Sequence, residues 1–273
     1  MKAGPFVALA CAVGLAAFGC GGGGTSPTPT PTPTPNPPPG PITNGCGAIG
    51  VSAGFTTAIV NGAECSPAAS PVLLLNMRSR DGFAVGACTG TVITPRVILT
   101  AAHCLDGEVA TVRVWLGSGA EITASSFEYH SGYSSNNTTH LDVGIVRMGE
   151  DLPRTPVPLL LSRDARVGES AVVAGWGRDL NSVGATLRAG TTAITAIRST
   201  VIETEFNSAT GGICSGDSGG PILLSEGGTW TIGGITSAAT VTSCNAGTNF
   251  YASIRYSPIT SFVVDRVPDV GRR

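Results

Sequence analysis

The sequence is poor in charge, and the charge it has is balanced. Of its 273 residues, only 12% are Asp, Glu, Lys or Arg, with 16 basic and 18 acidic side chains and a net charge of -2. Binding to nucleic acid or to an anionic membrane surface requires clustered Lys and Arg. The composition therefore argues against both kinds of partner.

Two further absences concern metals and membranes. No Cys-x-x-Cys pair occurs, which disfavours a zinc site built from cysteine clusters. After residue 18, no apolar run approaches the roughly 20 residues that a membrane-spanning helix needs. We therefore expect no metal, no cofactor and no second membrane segment.

The N-terminus has the pattern of an export signal. Lys2 precedes an apolar run from Phe6 to Phe18 that is too short to span a membrane comfortably. Residues 15–20, LAAFGC, resemble the lipobox of bacterial lipoproteins and predict lipidation at Cys20. Phe18 departs from that pattern, because a small residue usually stands there. The alternative is an ordinary signal whose cleavage releases the protein.

A proline-rich segment follows the signal. Residues 25–41 read TSPTPTPTPTPNPPPGP. Proline fixes φ and removes a backbone donor, so this segment is predicted to be an extended spacer. We divide the chain into a signal with lipobox (1–20), a Gly/Pro/Thr-rich tether (21–45), a short propeptide (46–58) and a folded domain (59–273).

The folded domain consists of short apolar segments separated by Gly, Pro, Asn and Ser. These segments are too brief for helices and are rich in Val, Ile and Thr, which predicts an all-β domain with many turns. Residues 259–267 are the one good helical candidate. The predicted strands include 72–75, 91–93, 97–99, 112–116, 143–148, 171–174, 222–224 and 231–235.

Three short motifs occur in the order His, Asp, Ser. His103 lies in LTAAHC, Asp142 in LDVGIV and Ser218 in GDSGGP. A serine hydroxyl is a poor nucleophile at its own pKa, so a neighbouring imidazole must accept its proton as a carbonyl is attacked. A carboxylate must in turn orient the imidazole and stabilise its cation. The order and spacing of the motifs favour this triad over three unrelated turn or surface residues.

Together the motifs resemble those of the trypsin/chymotrypsin family of serine proteases. The resemblance implies an all-β fold of two six-stranded antiparallel Greek-key barrels with a short C-terminal helix. It implies that Ser218 is the nucleophile, His103 the general base and Asp142 the orienting carboxylate. It also assigns the oxyanion hole to the backbone N–H groups of Gly216 and Ser218.

Six cysteines lie beyond the signal and the predicted lipid site. An even number in an exported protein predicts three disulfides. The family resemblance implies the pairs Cys88–Cys104 and Cys214–Cys244, and it leaves Cys46 and Cys65 for each other.

The segment that begins at Ile59 resembles the mature N-terminus of the family. By that resemblance, cleavage before Ile59 frees an amine that pairs with Asp217, the residue before the nucleophile. A buried carboxylate needs such a partner, and the pairing would order the oxyanion turn. Ala58 stands before the cut, where a trypsin-like activator would need Lys or Arg. We therefore expect an activator that prefers small residues, which includes the enzyme itself.

The resemblance also locates a substrate pocket. Trypsin has an Asp six residues before its nucleophile, and Gly212 stands there in this chain, so no acid receives Lys or Arg. The methyl group of Ala239 and the amide of Asn249 are expected to narrow the pocket, which favours cleavage after small or medium apolar residues. The Gly-Trp-Gly segment 175–177 also matches the family, and we interpret it as a structural strand end. The predicted pocket residues are Gly212, Ile213, Ser237, Ala238, Ala239 and Asn249.

The sequence thus predicts an exported, monomeric serine endopeptidase that acts on proteins or peptides through an acyl-enzyme. It would be anchored at a cell surface or in the periplasm through Cys20, or else secreted. The main alternative is a protease fold that has lost catalysis and serves as a binding or adhesion protein, but such proteins usually lack a triad member. An esterase fits less well, because that class has the order Ser-Asp-His and a strand–elbow–helix context.

Overall fold

The computed structural model describes residues 45–57, 62–137, 140–178, 186–206, 210–241 and 244–273. The signal, the tether, Cys20 and Ile59 lie outside the described residues. The strands are β1 (Ala53–Thr57), β2 (Ala63–Cys65), β3 (Val72–Arg78), β4 (Ala84–Thr94), β5 (Val97–Thr100), β6 (Thr111–Trp115), β7 (Ile122–Thr123), β8 (Ser126–Tyr129), β9 (Gly144–Arg147), β10 (Ser170–Gly175), β11 (Arg188–Ile197), β12 (Val201–Phe206), β13 (Pro221–Glu226), β14 (Thr229–Ala239) and β15 (Gly247–Ser253). One α-helix, α1 (Ser257–Arg266), follows them, and 3-10 turns occupy Gly45–Ile49 and Ala102–Cys104.

The first barrel is a seven-stranded antiparallel sheet in the order β7-β6-β3-β4-β5-β9-β8. Side chains alternate across its strands as the two-residue period requires. In β6, for example, Val112 and Val114 are buried whereas Arg113 is exposed. Trp115 at the end of this strand packs against Trp176, with ring centroids 5.3 Å apart. The contact joins the first barrel to the residue that directly follows β10.

The second barrel is formed by an eight-stranded antiparallel sheet in the order β1-β2-β11-β10-β13-β14-β15-β12. A further pairing of β11 with β12 closes six of these strands into a ring. Closure leaves no unpaired edge in that ring, while β1 and β2 extend from it as a hairpin. The predicted all-β fold with two barrels is confirmed.

The C-terminal helix is confirmed, although it begins two residues earlier than predicted. It spans Ser257–Arg266 with a proline in its first turn, where the missing N–H has no intrahelical acceptor. Phe262 and Val263 are buried against the barrels. The guanidinium of Arg266 lies 4.2 Å from the centre of the Phe262 ring and donates to Glu128 at 2.8 Å. The helix is therefore fastened to the first barrel at its C-terminal end.

Among the described residues, no helix is long and apolar enough to cross a membrane.

The segment interpreted from sequence as a propeptide packs into the second barrel. Cys46 and Ile49 are buried in the main hydrophobic core. β1 pairs antiparallel with β2, and a disulfide joins Cys46 to Cys65. In the intact chain, Cys46 and Ile49 therefore belong to the core of the folded domain, and the backbone of β1 is paired there with β2.

Candidate active site

His103 and Asp142 meet at the surface of the first barrel. His103 lies in the 3-10 turn after β5, and Asp142 comes just before β9, the strand paired with β5. The imidazole Nδ1 lies 2.8 Å from Asp142 Oδ2, and the backbone N–H of His103 donates to Oδ1 at 2.9 Å. Because a carboxylate only accepts, Nδ1 carries the proton, and Nε2 is left with a free lone pair.

The carboxylate of Asp142 is fully buried and held by three donors. Besides the two groups of His103, the hydroxyl of Ser237 donates to Oδ2 at 2.6 Å. The preceding residue, Leu141, has a φ of 57°, a left-handed conformation that is unusual for a residue with a side chain. Burial raises the pKa of nearby Tyr133 to about 12, and the charges of Asp142 and Asp106 add to the effect. Tyr133 is thus a neutral neighbour of the buried carboxylate.

Ser218 lies at the tip of a turn between two glycines. Gly216 has a φ of 100° and Gly219 a φ of 81°. A Cβ on Gly216 would lie 2.9 Å from Gly177 Cα, so both the conformation and the space require glycine. The N–H of Gly219 donates to the carbonyl of Thr236 at 2.8 Å. The turn is therefore held by its backbone hydrogen bonds, and the Ser218 side chain is not needed to hold it.

His103 and Ser218 face one cleft between the two barrels. The cleft has a volume of about 470 Å³ and is lined by both residues together with Gly216 and Ser215. Among the described residues, His103 and Ser218 both line this cleft, and no hydrogen bond joins their side chains. Catalytic hydrogen bonds of this type are often long before substrate binds and tighten in the complex.

The two predicted oxyanion donors also reach this cleft. Throughout the described ranges, neither the N–H of Gly216 nor that of Ser218 has a hydrogen-bond acceptor, whereas the N–H of Asp217 between them donates to Cys214 O at 3.0 Å. Backbone N–H groups in folded proteins are nearly always paired. Gly216 and Ser218 both line the cleft, and their N–H groups have no described partner, so both are available to an anionic oxygen.

Asp217, the residue before Ser218, is buried beneath the turn. Its carboxylate accepts from the N–H groups of Gly177 at 2.7 Å and Cys214 at 2.8 Å. Burial raises its pKa to about 6, while these two N–H groups and the charge of Arg188 oppose that increase. A Cβ on Gly177 would lie 2.5 Å from the carboxyl carbon. The Gly-Trp-Gly segment thus makes room for Asp217, a role that the sequence interpretation did not assign to it.

Thr89 in β4 is a further support that the sequence analysis missed. Its hydroxyl donates to Gly216 O at 2.8 Å and accepts from the N–H of Trp176 at 3.0 Å. Its own N–H donates to Ser218 O at 2.8 Å. Thr89 is the neighbour of Cys88, and no short-range pattern links it to a turn more than 120 residues away. It holds both ends of the Gly216–Ser218 segment from the first barrel.

A smaller cavity of about 150 Å³ opens beside Ser218. It contains four of the predicted pocket residues, and the structure places Gly212 and Asn249 outside its lining. The Phe206 ring lies against Gly212, 2.7 Å from the position of an added Cβ, and the Asn249 amide turns to Thr204 Oγ1 at 3.4 Å. The lining consists of Ile213, Cys214, Ser215, Ser218, Thr236, Ser237, Ala238, Ala239, Val241 and Cys244.

Three disulfides join described residues, with the pairs that the sequence analysis gives: Cys46–Cys65, Cys88–Cys104 and Cys214–Cys244. The second ties β4 to the turn of His103. The third links the nucleophile turn to the far side of the pocket. The sulfur atoms of Cys88 and Cys104 lie close to the His103 ring, but in a disulfide they are not thiolates that could bind a metal.

Comparison with known proteins identifies the family. The family model described as Trypsin matches residues 59–263, well over half of the chain. This chain belongs to the trypsin family of serine endopeptidases. Chymotrypsin of Phaedon cochleariae is 33% identical over 195 residues, which cover 61% of this chain and 69% of that protein. Trypsin delta of Drosophila erecta is 29% identical over 162 residues, covering 50% of this chain and 64% of that protein.

Solved structures show the same trypsin-like fold. The structure of HL collagenase matches with a TM-score of 0.65 at 21% sequence identity, covering 76% of this chain and 98% of that chain. At this identity the similarity concerns the fold alone.

Proposed function

We propose that this trypsin-family protein hydrolyses peptide bonds with Ser218 as nucleophile, His103 as general base and Asp142 as orienting carboxylate. Ser218 Oγ attacks the scissile carbonyl carbon while its proton passes to His103 Nε2. The C–N bond then breaks, and the same proton goes to the leaving amine. Water then gives a proton to His103 Nε2 and attacks the acyl carbon. The ester bond to Ser218 Oγ breaks, the new carboxylic acid leaves, and His103 returns the proton to Oγ.

The observation that carries the proposal is the orientation of His103. Its Nδ1 lies 2.8 Å from a fully buried carboxylate, so Nε2 is left as the base, and His103 lines the cleft that also contains Ser218. The N–H groups of Gly216 and Ser218 would stabilise the oxyanion, each contributing roughly 3 to 4 kcal/mol to the lowered barrier. A catalytically silent binding protein would not need this arrangement.

The pocket beside Ser218 supports cleavage after small or medium apolar residues. Its wall includes Ile213, Ala238 and Val241, and none of the described residues that line it is acidic. A cavity of about 150 Å³ is close in size to an apolar protein cavity that takes up one benzene ring. Such a pocket can desolvate an aliphatic side chain, whereas a Lys or Arg would be buried without a partner.

A peptide library tests both the reaction and this specificity. We expect cleavage after Ala, Val and Leu and no cleavage after Lys or Arg. Ile213→Ala should enlarge the pocket and shift the ratio of kcat/KM for Phe over Ala by at least tenfold, because each buried methylene changes discrimination severalfold. The matched control is Ile194→Ala, which removes the same atoms from the same buried cluster but away from the cavity. Cleavage after Lys or Arg, or an equal shift in the control, would contradict the assignment.

We also propose activation by cleavage between Ala58 and Ile59. The bond lies in the connection between β1 and β2, and the Cys46–Cys65 disulfide would keep the preceding segment attached after the cut. The new ammonium at Ile59 would pair with Asp217. This buried carboxylate has a pKa of about 6 in the intact chain, above the 3.8 of an unfolded chain.

The pKa of Asp217 gives this activation a pH signature. Because the folded value is the higher one, the contribution of Asp217 to stability is complete below about pH 4 and is lost as the pH rises through 6. The loss amounts to about 3 kcal/mol. In uncleaved Ser218→Ala protein we expect this loss in the free energy of unfolding between pH 4 and pH 7. After cleavage the ammonium stabilises the charged carboxylate, so the loss should disappear.

Two measurements decide the activation proposal. Denaturant unfolding of cleaved and uncleaved Ser218→Ala protein across this pH range gives the difference. N-terminal sequencing of active enzyme, after reduction, should begin at Ile59. Identical pH profiles, or full activity of the uncleaved wild type, would contradict it.

We propose that the N-terminal region exports the enzyme and tethers it to a membrane surface through lipidated Cys20, with the proline-rich tether as spacer. The disulfides support an oxidising compartment, where they persist. Cells that express the chain should incorporate a palmitate analogue at Cys20, and Cys20→Ser should not. Unlabelled wild type would instead indicate a secreted enzyme.

A further inference from the structure

Arg188 is one of the largest fully buried side chains in the described structure. It is the first residue of β11, and only 1% of its surface is exposed. Arginine is almost never buried to this extent unless it is paired, because removing a guanidinium from water costs several kcal/mol. Its partners therefore indicate what the burial achieves.

Among the described residues, the guanidinium contacts the Gly-Trp-Gly segment and β2. Nη1 donates to the carbonyl oxygen of Gly177 at 3.0 Å. Nη2 lies 3.9 Å from Glu64 Oε1 on β2, the strand that follows the proposed cleavage site and pairs with the start of β11. Arg188 thus links that strand to the Gly-Trp-Gly segment.

Gly177 passes this contact on to the oxyanion turn in two ways. Its own N–H donates to Asp217 Oδ1 at 2.7 Å. The next peptide unit accepts from Arg188 at its carbonyl and donates, through the N–H of Arg178, to Ser215 O at 2.9 Å. A cationic donor at one end of a peptide unit polarises it and strengthens the hydrogen bond at the other end. Ser215 and Asp217 flank Gly216, the first oxyanion donor.

The positive charge of Arg188 also supports its link to the turn, through Asp217. Asp217 is buried beneath the turn, and burial raises its pKa. The positive charge of Arg188 favours the ionised carboxylate and so lowers that pKa. The ionised form is the stronger acceptor for the N–H groups of Gly177 and Cys214.

We propose that Arg188 is a positioning residue for the oxyanion hole, which acts through the Gly177 segment on the turn from Ser215 to Ser218. It touches neither the reacting atoms nor the cleft, and it holds the N–H groups of Gly216 and Ser218 where the oxyanion forms. The assignment rests on the proposed peptidase function.

The test compares Arg188→Gln and Arg188→Lys in the full chain after cleavage between Ala58 and Ile59. Every rate is expressed per active site titrated with a fluorophosphonate. Losing a whole oxyanion donor lowers kcat 10²- to 10³-fold, and a displaced donor should cost less. We expect Arg188→Gln to lower kcat about 10- to 100-fold with KM within about twofold. Binding of a peptide trifluoromethyl ketone, which forms a tetrahedral adduct with an oxyanion, should weaken by the same factor. Arg188→Lys keeps the charge and one donor, so its kcat should lie between those of the wild type and Arg188→Gln.

The matched control is Arg154→Gln. Arg154 is a partly buried arginine that, like Arg188, donates to a backbone carbonyl, that of Leu116 at 2.9 Å, but it lies on the first barrel away from the turn. It should change stability without changing kcat per active site. The same result for Arg188→Gln, a lower unfolding temperature with wild-type kcat and inhibitor affinity, would overturn the proposal.

If Arg188→Gln does not fold, Arg188→Lys decides. It should lower kcat about three- to tenfold per active site, and wild-type kcat would overturn the assignment. The proposed function is tested separately, because it requires hydrolysis by the wild type and loss of hydrolysis in Ser218→Ala, whatever the Arg188 variants do.

Discussion

Replacing Ser218 with alanine should lower kcat on the order of 10⁶-fold. The substitution removes the only atom that is proposed to form a covalent bond with the substrate, so no acyl-enzyme can form. The residual rate, on the order of 10³-fold above that in water, would come from the oxyanion donors and from substrate binding. The measurement is hydrolysis of a peptide ending in Ala or Val before the scissile bond.

The Ser218→Ala protein should fold as the wild type does. The turn is held by backbone contacts, such as those from Ser218 O to Thr89 and from Gly219 N to Thr236, and alanine keeps all of them. Ser225→Ala, an exposed serine on β13, is the control and should retain wild-type kcat. Substantial hydrolysis by Ser218→Ala would mean that the nucleophile is elsewhere.

Replacing Asp142 with asparagine should lower kcat about 10⁴-fold, although the side chain keeps its size. An amide nitrogen directed at His103 Nδ1 donates instead of accepting, which favours the imidazole tautomer with its proton on Nε2. That tautomer cannot take the proton of Ser218. The asparagine also has no negative charge with which to stabilise the imidazolium in the transition state.

The geometry around Asp142 makes this prediction specific. The asparagine oxygen can take the place of Asp142 Oδ1, which accepts from the backbone N–H of His103 at 2.9 Å, so the turn should keep its structure. Asp151→Asn is the control, because Asp151 pairs with Arg96 at an exposed surface site where charge contributes little. A kcat for Asp142→Asn within tenfold of wild type would show that His103 takes its orientation from another residue.

The residues of the proposed triad and the strands beside them are predictable from sequence, because each depends on a short local pattern. His103, Asp142 and Ser218 each lie in a motif of about six residues, and every predicted strand falls within or overlaps an observed one. The strand β11, Arg188–Ile197, was not predicted, because its RAGTTAITAI sequence has few large apolar residues. Its pairing with β10 and β12 makes it a strand by tertiary context.

The supports of the site could not be predicted, because each joins residues far apart in the chain. The hydroxyl of Ser237 reaches Asp142 across 95 positions, and that of Thr89 reaches Gly216 across 127. A single serine or threonine in a strand carries no pattern that marks such a partner. The same holds for Arg188, whose burial follows from where β11 lies in the barrel.

In the proposed substrate pocket, a local pattern assigns two residues that do not line the cavity. Family spacing locates Gly212 six residues before Ser218 and Asn249 on the facing strand, yet neither lines the cavity. The ring of Phe206 occupies the space beside Gly212, and nothing in the GGICSG segment predicts that an aromatic residue from β12 packs there.

Fluorophosphonate labelling of the active wild-type enzyme, followed by digestion and mass spectrometry, tests the central claim most directly. The reagent forms a covalent bond only with an activated serine. We predict one adduct per chain, located on Ser218, with hydrolysis lost in proportion to labelling and with labelling prevented in His103→Ala. An adduct on another serine, or hydrolysis that persists when Ser218 is fully modified, would contradict the assignment of Ser218 as the nucleophile.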